Sequence, residues 1–252
     1  MPLLNRYVRA GAKWSTIAFA AAAAVYGTYV GLTWYRYGNV AAPGPEEEDP
    51  LLDRFLPVYE IVERHQIRVA APAPVTLDAA RDADLQASPV VRAIIRAREV
   101  ILGATPVDRR PPRGLLAETQ SLGWGVLAHD AGREVVVGAV TRPWEANVTF
   151  RALPPDQFAA FNEAGYVKIA WTIRADPITA TESVFRTETR AVTTDPSART
   201  KFRRYWSFLS PGIIVIRWLM LQPLKAEAER RARVLEPRLR EASNPRSEER
   251  PH

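Results

Sequence analysis

An uncharged stretch near the start of the chain sets the first limit on how it folds. Residues 14–34 read WSTIAFAAAAAVYGTYVGLTW, 21 residues without an acidic or basic side chain. A helix of about 20 apolar residues crosses a hydrocarbon core of ~30 Å. Trp14 at one edge and Trp34 at the other match the positions of interfacial aromatic residues. The stretch therefore predicts a transmembrane helix over residues 14–35.

A cleaved signal peptide is the alternative interpretation, because the first residues are basic and the alanines offer small-residue cleavage sites. The stretch outlasts the usual apolar region of a signal peptide, ~7 to 15 residues, which favours a span. Arg6, Arg9 and Lys13 precede it and predict a single-pass cell-membrane protein with a cytoplasmic N-terminus and an extracytoplasmic C-terminal domain. Gly27 and Gly31 form a GxxxG step that permits packing on membrane proteins, although small residues are common in such helices.

Charge and composition argue against several functional classes. The chain has 34 basic and 28 acidic residues, of which 30 basic and all 28 acidic residues follow residue 40. The domain itself is thus nearly neutral, and nucleic acid is not an expected partner. Cysteine is absent and the three histidines are scattered, so neither a metal site nor a cofactor is expected.

Composition also divides the chain into segments. A basic segment, 1–13, precedes the apolar helix. The sequence AAPGPEEEDP within residues 36–55 has the proline, glycine and acidic content of a linker. A globular domain is predicted over residues 56–236, followed by a charged, disordered tail over 237–252.

Local signals predict several elements of the domain. Alternation in VYEIVERHQIRV, residues 58–69, predicts a first strand, on which His65 is interpreted as a sheet-surface residue. Ser88, Pro89 and Gly103 are typical of the N-cap, the first position and the end of a helix, so a helix is predicted over Pro89–Leu102.

A hairpin is predicted from two apolar runs on either side of residues 130–133. Pairing across that turn places His129 opposite Glu134, which we interpret as a surface contact. The other face of the hairpin is then expected to carry Trp124, Val126, Ala128, Val135, Val137 and Ala139.

A second hairpin is predicted from GYVKIAWTIRADP and TESVFRTETRAVTTDP. One register sets Lys168 opposite Glu188 on the outer face and gathers apolar side chains on the inner face. The other register would bury Arg186, Glu188 and Arg190 among apolar side chains at a high cost. The favoured inner face consists of Val167, Ile169, Trp171, Ile173, Phe185, Thr187, Thr189 and Ala191.

The C-terminal part predicts helical structure. Thr194 or Asp195 is expected to cap a helix that has Pro196 at its first position, and Pro211–Gly212 is expected to interrupt it. The apolar run that follows, residues 213–224, is too short for a second span. Its stripe is instead expected to lie across the sheet through Trp206, Leu209, Ile213, Ile216 and Met220.

The order of elements resembles a known family. From about Tyr59 to Arg233, it is similar to the helix-grip fold of the SRPBCC superfamily, which includes START-like, Bet v 1-like and polyketide cyclase/dehydrase-like proteins. The resemblance is carried by HQIRVAAPAPVTLDAARD, TETRAVTTDPSARTKFRRYW and SPGIIVIRWLMLQPLKAEAERRA, of which the last two are similar to the ends of bacterial members. It implies an α+β helix-grip fold, an antiparallel β-sheet wrapped around a long C-terminal α-helix, here preceded by a single N-terminal transmembrane helix.

The resemblance also implies a hydrophobic ligand between the sheet and the C-terminal helix, and it transfers no catalytic residue. The first hypothesis is a membrane-anchored binding or carrier protein for a lipid, an isoprenoid or a similar molecule. The second is a non-catalytic structural or assembly subunit of a membrane protein complex, contacted through the N-terminal helix. The third, a cyclase- or dehydrase-like enzyme, is least favoured because no nucleophile with its base can be assigned from spacing.

The residues expected to matter fall into two groups, and no catalytic or metal-binding residue is assigned. The expected partners are the lipid bilayer and an apolar small molecule. The candidate pocket consists of Trp124, Val126, Val137, Ile169, Trp171, Phe185, Thr187, Thr189, Trp206, Ile213, Ile216 and Met220. The candidate membrane anchor consists of Trp14, Gly27, Gly31 and Trp34.

Overall fold

A computed structural model describes residues 2–105 and 113–242 of the chain. The helices are α1 (Pro2–Arg36), α2 (Pro50–Asp53), α3 (Ala73–Arg81), α4 (Pro89–Leu102), α5 (Leu115–Ser121), α6 (Pro155–Ala160) and α7 (Pro196–Ala242), with a 3-10 turn at Leu85–Ala87. The strands are β1 (Ile61–Val69), β2 (Gly125–Asp130), β3 (Glu134–Thr141), β4 (Phe150–Arg151), β5 (Val167–Pro177) and β6 (Ser183–Thr193).

The domain is α+β, with one antiparallel sheet and a long C-terminal helix, which confirms the predicted fold class in these terms. The described strands are ordered β1-β6-β5-β3-β2, and β4 pairs with β3. Helix α7 contacts β1 and β6 and also packs on α1, α3 and α4. We call the face of the sheet that α7 covers the inner face, and the opposite face the outer face.

The β5–β6 hairpin has the predicted inner face but a different outer pairing. Ile169 pairs with Ala191 and Trp171 with Thr189, as expected for the grouped residues. The predicted pair of Lys168 and Glu188 is wrong, because Lys168 pairs with Val192 instead. The turn between the strands spans residues 178–182, later in the chain than a Lys168–Glu188 pair requires. The partner of Lys168 therefore lies further along β6.

The β2–β3 hairpin departs from simple alternation at a β-bulge between Val126 and Ala128. A bulge adds one residue to a strand and moves the following side chains to the other face. Ala128 therefore pairs with Val136 and packs on the outer side, and His129 lies opposite Val135. The predicted positions of Ala128 and of the His129–Glu134 pair are wrong for this reason.

The predicted helix caps are confirmed. The Ser88 hydroxyl accepts a hydrogen bond from the amide of Val91 at 3.3 Å, and Gly103 ends α4 at a positive φ of 69°. Asp195 accepts from the amides of Ser197 and Ala198 at 2.8 and 3.1 Å, so Asp195 caps α7.

Helix α7 is continuous through Pro211, where an interruption was predicted. Proline has no N–H, so in a helix it leaves the carbonyl four residues earlier without its usual donor. The neighbouring carbonyl of Phe208 accepts from the hydroxyl of Tyr26 on α1 at 2.6 Å. Ser210 also contacts α1, through a 2.8 Å hydrogen bond with the Tyr29 hydroxyl. Helix α1 thus supports α7 around the proline, a contact between distant parts of the chain.

The sheet packs on both faces. On the inner face, α3 and the C-terminal part of α7 cover a core that includes Val137, Trp171 and Phe185. On the outer face, a second core includes Leu52 and Phe158, from α2 and α6. The segment 36–55, interpreted as a linker, thus ends in a packed element. The proline, glycine and acidic residues that suggest a linker come first, and the apolar residues that pack begin at position 51.

Two described helical stretches, Trp14–Arg36 and Pro196–Leu235, have the length and hydropathy needed to cross a membrane. The side chains of the first stretch are not buried in the protein, whereas Phe202 and Leu224 in the second pack in the domain cores. Helix α1 begins at Pro2, so it includes most of the basic segment 1–13, and α7 extends to Ala242. Residues 243–252 of the predicted tail lie outside the described part of the chain.

Candidate functional site

The middle of α7 covers the inner face less tightly than its two ends. Phe202 and Trp206 are buried before this middle part, and Leu221 is buried after it. Between them, no side chain of residues 211–220 is buried, although the sequence PGIIVIRWLM is almost entirely apolar. Apolar helix residues normally bury their sheet-facing stripe. The contact between α7 and the sheet is therefore incomplete at this point.

Polar side chains lie on the inner face beneath the middle of α7. Alternation along β1 turns Glu63 and His65 inward, and β6 turns Thr187 and Thr189 inward. Glu63 pairs with Thr189 and His65 with Thr187 across the two strands. Arg217 reaches down from α7, and its Nη1 donates to the Thr187 Oγ1 at 3.3 Å. We call these five residues the inner polar cluster.

The inner polar cluster is not internally satisfied. His65 Nε2 and Thr189 Oγ1 are buried and have no hydrogen-bond partner among residues 2–105 and 113–242. His65 Nε2 is 3.9 Å from the nearest carboxylate oxygen of Glu63, too far for a hydrogen bond. Buried polar atoms in proteins are nearly always hydrogen-bonded, so unpaired ones call for an explanation.

Burial shifts the ionisation of the cluster. It raises the pKa of Glu63, and the charge of Arg217 partly offsets this. Burial, and then the charge of Arg217, lower the pKa of His65, so the imidazole is neutral at pH 7. Burial also lowers the pKa of Arg217 to about 10, which leaves the guanidinium charged. The cluster therefore offers one firm positive charge, one carboxyl that resists ionisation and one neutral imidazole.

These groups suit binding better than catalysis. The arginine and the threonines can donate hydrogen bonds, and a neutral histidine can donate or accept one. Glu63 and His65 do not touch, so they form no acid–base relay as they stand. Among the described residues, no group of His, Asp and Glu side chains is arranged to hold a metal ion.

The predicted pocket residues surround this cluster. Val137, Trp171 and Phe185 lie in the inner core, and the ring of Trp124 packs edge-on to Trp171 at 6.4 Å. Trp206, Ile169 and Ile213 belong to a neighbouring apolar cluster towards the start of α7. The structure thus brings apolar walls and the two threonines together on one face.

Three residues of the candidate pocket are less buried than the others. Ile216 and Met220 face the incomplete contact and are only partly buried. Val126 lies on the edge strand β2 and is 36% exposed. Trp218, twelve residues after Trp206, lies about 120° around the helix from it and is 65% exposed.

Sequence reasoning missed the histidine and the glutamate of this site. His65 was interpreted as a surface residue because alternation alone does not say which face of β1 is covered. Its pairing with Thr187 on β6, already expected to face inward, is the signal that could have found it. Arg217 is a single charge within the apolar run 213–224, and no sequence pattern gives it a role.

The predicted anchor residues are exposed on α1. Trp14 is 71% exposed, and the surroundings of Gly27 and Gly31 are open, so the small-residue step faces away from the domain. Trp34 lies nearer to the domain, where its carbonyl accepts from Arg203 at 2.6 Å and its ring contacts the Arg203 guanidinium at 4.3 Å.

A depression of about 120 Å³ opens on the outer face, lined mainly by charged residues of that face, and His65 and Thr187 also contribute to its lining. Arg64 and Glu188 in its wall are bonded to each other at 3.0 Å, and Arg186 is bonded to Asp176 at 3.1 Å. Because its charges already pair with one another, this depression offers little to a ligand.

No family model and no curated protein matches the chain. Among solved structures, norcoclaurine synthase from Thalictrum flavum, a point mutant with a transition-state analogue, is 13% identical over 66% of this chain and 94% of its own, with a TM-score of 0.32. The Zhui aromatase/cyclase from Streptomyces sp. R1128 is 15% identical over 68% of this chain and 94% of its own, with a TM-score of 0.23. At these values no function or site residue is transferred to this chain.

Proposed function

We propose that this protein is a membrane-anchored binding or carrier protein that holds an apolar small molecule, a lipid or an isoprenoid for example, between the inner face of the sheet and α7. The observation that carries the proposal is the incomplete contact beneath residues 211–220. The largely apolar middle of α7 lies there over the inner face and is only partly buried by it. An apolar ligand would bury the rest of this surface, which contributes about 25 cal/mol of binding free energy per Å² removed from water.

The composition of the walls supports the same proposal. Binding sites for small molecules are mostly apolar and carry a few convergent polar groups that orient the ligand. Trp171, Phe185 and Val137 supply apolar wall, while Thr189 and His65 supply polar atoms that have no partner. These polar atoms belong to β1, the edge strand of the sheet, and to β6 beside it.

The anchor part of the proposal is supported by α1 and its surroundings. Residues 14–36 are apolar and unburied, and α1 contacts α7 directly through Tyr26 and Tyr29. Near this contact, Phe208 on α7 and Ile101 on α4 are 47% and 67% exposed. A membrane close to α1 would cover these side chains, and it would place the site beside a membrane-soluble ligand.

A comparison of two tryptophan variants tests the ligand site. Trp171→Ala is expected to weaken uptake of an apolar fluorescent probe about tenfold or more, because it removes a wall of the site. Trp34→Ala is the matched control, since its ring contacts Arg203 outside the site. Equal effects of the two variants would contradict the assignment of the pocket.

Extraction of membranes tests the anchor. The full chain should stay in the membrane pellet after a carbonate or high-salt wash, as an integral helix does. A chain that starts at Tyr37 should be released, because it lacks the apolar stretch but keeps the hydrogen bond from Tyr37 to Glu60 at 2.7 Å. Release of the full chain by the wash would contradict a membrane span.

The exposed apolar side chains favour a second function, that of an assembly subunit in a membrane protein complex. Val100 and Ile101 on α4, and Val215 and Trp218 on α7, form apolar surface that a protein partner could cover equally well. Crosslinking in native membranes separates the two functions, because an assembly subunit gives a defined partner protein at α4 and α7, and a carrier gives lipid adducts.

A further inference from the structure

Arg217 is a partly buried cation on α7 that lacks a close counter-ion among the described residues. The carboxylate that influences it is Glu63, yet no carboxylate among the described residues lies within ion-pair distance of its guanidinium. Its one hydrogen bond within the described part of the chain goes to Thr187. Burying an uncompensated charge is costly, and the cost is recovered when a charge of opposite sign binds with good geometry.

The groups next to Arg217 are hydrogen-bond donors that are also unused. Thr189 is 7% exposed, and its hydroxyl has no partner. The Nε2 of His65 is likewise buried and unpaired. A guanidinium, a hydroxyl and an imidazole on neighbouring positions of the inner face are groups that can donate to the acceptor oxygens of a carboxylate or a phosphate.

We propose that the molecule held beneath α7 ends in a single anionic oxygen group, a carboxylate or a phosphate, that accepts hydrogen bonds from Arg217 and Thr189. This inference rests on the proposed function, since the apolar remainder of the molecule would lie along the wall formed by Trp171 and Phe185. It adds the chemical class of the ligand, which the apolar wall does not specify.

Glu63 is the one acidic group of the described inner polar cluster, and it tunes the site. Burial raises the pKa of Glu63 and the charge of Arg217 partly offsets this, and the fraction of Glu63 that is ionised would repel an anionic ligand. Replacing Glu63 by glutamine keeps the shape and removes the negative charge. The inference therefore predicts tighter binding of an anion by Glu63→Gln, whereas a site for a cationic or neutral head group would not gain from this change.

The experiment uses the full chain in phosphatidylcholine nanodiscs and three C16 probes that carry a diazirine at the end of the chain. The probes end in a carboxylic acid, an alcohol or a phosphate monoester. After photolysis, labelled peptides are quantified by mass spectrometry as a function of probe concentration, with the peptides of β5, β6 and α7 as the readout. The acid or the phosphate is expected to label these peptides at an about tenfold lower concentration than the alcohol, as charge-assisted hydrogen bonds imply.

Two substitutions on the same helix sharpen the result. Arg217→Met keeps a long apolar side chain, and it is expected to remove the preference so that acid and alcohol label at the same concentration. Arg204→Met is the matched control, because Arg204 is exposed on the outward side of α7 and should not affect the preference. If Arg217→Met disturbs folding, two other variants test the same preference for an anionic head group. Thr189→Val is expected to lower the labelling by the acid, and Glu63→Gln is expected to raise it.

The outcomes separate this inference from the proposed function. Absence of labelling on β5, β6 and α7 with every probe would overturn the proposed function and the inference together. Labelling of these peptides by the alcohol as strongly as by the acid and the phosphate would overturn the inference alone. A preference for the phosphate indicates a phospholipid-like ligand, and a preference for the acid indicates a fatty-acid-like one; either result supports an anionic head group.

Discussion

The outer and inner faces of the sheet differ in how completely their charged residues are paired. On the outer face, Arg190 is 1% exposed and is bonded to Glu188 at 2.6 Å, to Asp53 and to the carbonyl of Leu56 at 2.9 Å. Glu188 also accepts from Arg64 at 3.0 Å. We call these four charged residues, Asp53, Arg64, Glu188 and Arg190, the outer ionic network.

On the inner face, Arg217 has one hydrogen bond of 3.3 Å, and His65 and Thr189 have unpaired buried atoms. Both faces are covered by helices, so coverage does not explain the difference. A polar group that serves the fold is paired within the fold, whereas one that serves a ligand is paired by the ligand. The comparison therefore favours a stabilising role for the outer ionic network and supports the proposed binding role of the inner polar cluster.

The largest expected effect comes from breaking the outer ionic network. Arg190→Ala leaves Asp53 and the Leu56 carbonyl without their partner and Glu188 with Arg64 alone, and we expect it to lower the free energy of unfolding by ~3–5 kcal/mol. Denaturant unfolding of the full chain measures this. Arg204→Ala, an exposed arginine on α7, is the control and should cost less than ~0.5 kcal/mol. A similar small cost for both variants would show that the network does not hold the outer face together.

A carboxyl on the outer face that does not belong to the outer ionic network gives the second prediction. Glu134 is buried beside Asp49, and burial, followed by the charge of Asp49, raises its pKa to about 8, with Arg174 opposing. The folded protein then keeps a proton that the unfolded chain loses near pH 4.5, so this contribution to stability is present below pH 4.5 and is lost as the pH rises through about 8.

Glu134→Gln should remove that loss, with a gain on the order of 2 kcal/mol over the wild type at pH 9 and little gain at pH 4. Unfolding measured at both pH values gives the difference between the two proteins and cancels the titration of other groups. A pH-independent difference would show that Glu134 is ionised in the folded protein at neutral pH.

The smallest effect compares two buried threonines. Thr76 shares a hydrogen bond of 2.8 Å with Ser183, whereas the hydroxyl of Thr189 has no partner. Valine has nearly the shape of threonine without the hydroxyl. Thr76→Val is therefore expected to destabilise the ligand-free protein by ~1 kcal/mol, and Thr189→Val to leave it unchanged or to stabilise it by up to ~1 kcal/mol. Destabilisation of equal size by both would mean that Thr189 is satisfied within the fold.

The sequence predicts the parts of this fold that depend on local chemistry. Ser88 and Asp195 cap helices because their side chains accept from amides two or three residues away. The inner face of β5 and β6 follows from alternation, since the competing register would bury charges. The bulge after Val126 has no such signal, and it moves Ala128 to the other face.

The site depends on contacts that no local pattern encodes. Glu63 and His65 face inward because β1 pairs with β6, more than a hundred residues later in the chain. Arg217 meets them because α7 continues past Pro211, and α1 contributes the Tyr26 hydroxyl beside that proline. The apolar wall, including Trp171 and Phe185, was predictable from periodicity, whereas the polar part of the site was not.

The most direct test of the account is native mass spectrometry with organic extraction of the full chain, purified from its native host in mild detergent. The account predicts one apolar molecule of defined mass per chain, retained by Arg204→Met and lost or depleted in Trp171→Ala. A full chain that carries no small molecule, and that takes up none from a native lipid extract while remaining folded, would contradict the claim that the inner face is a binding site.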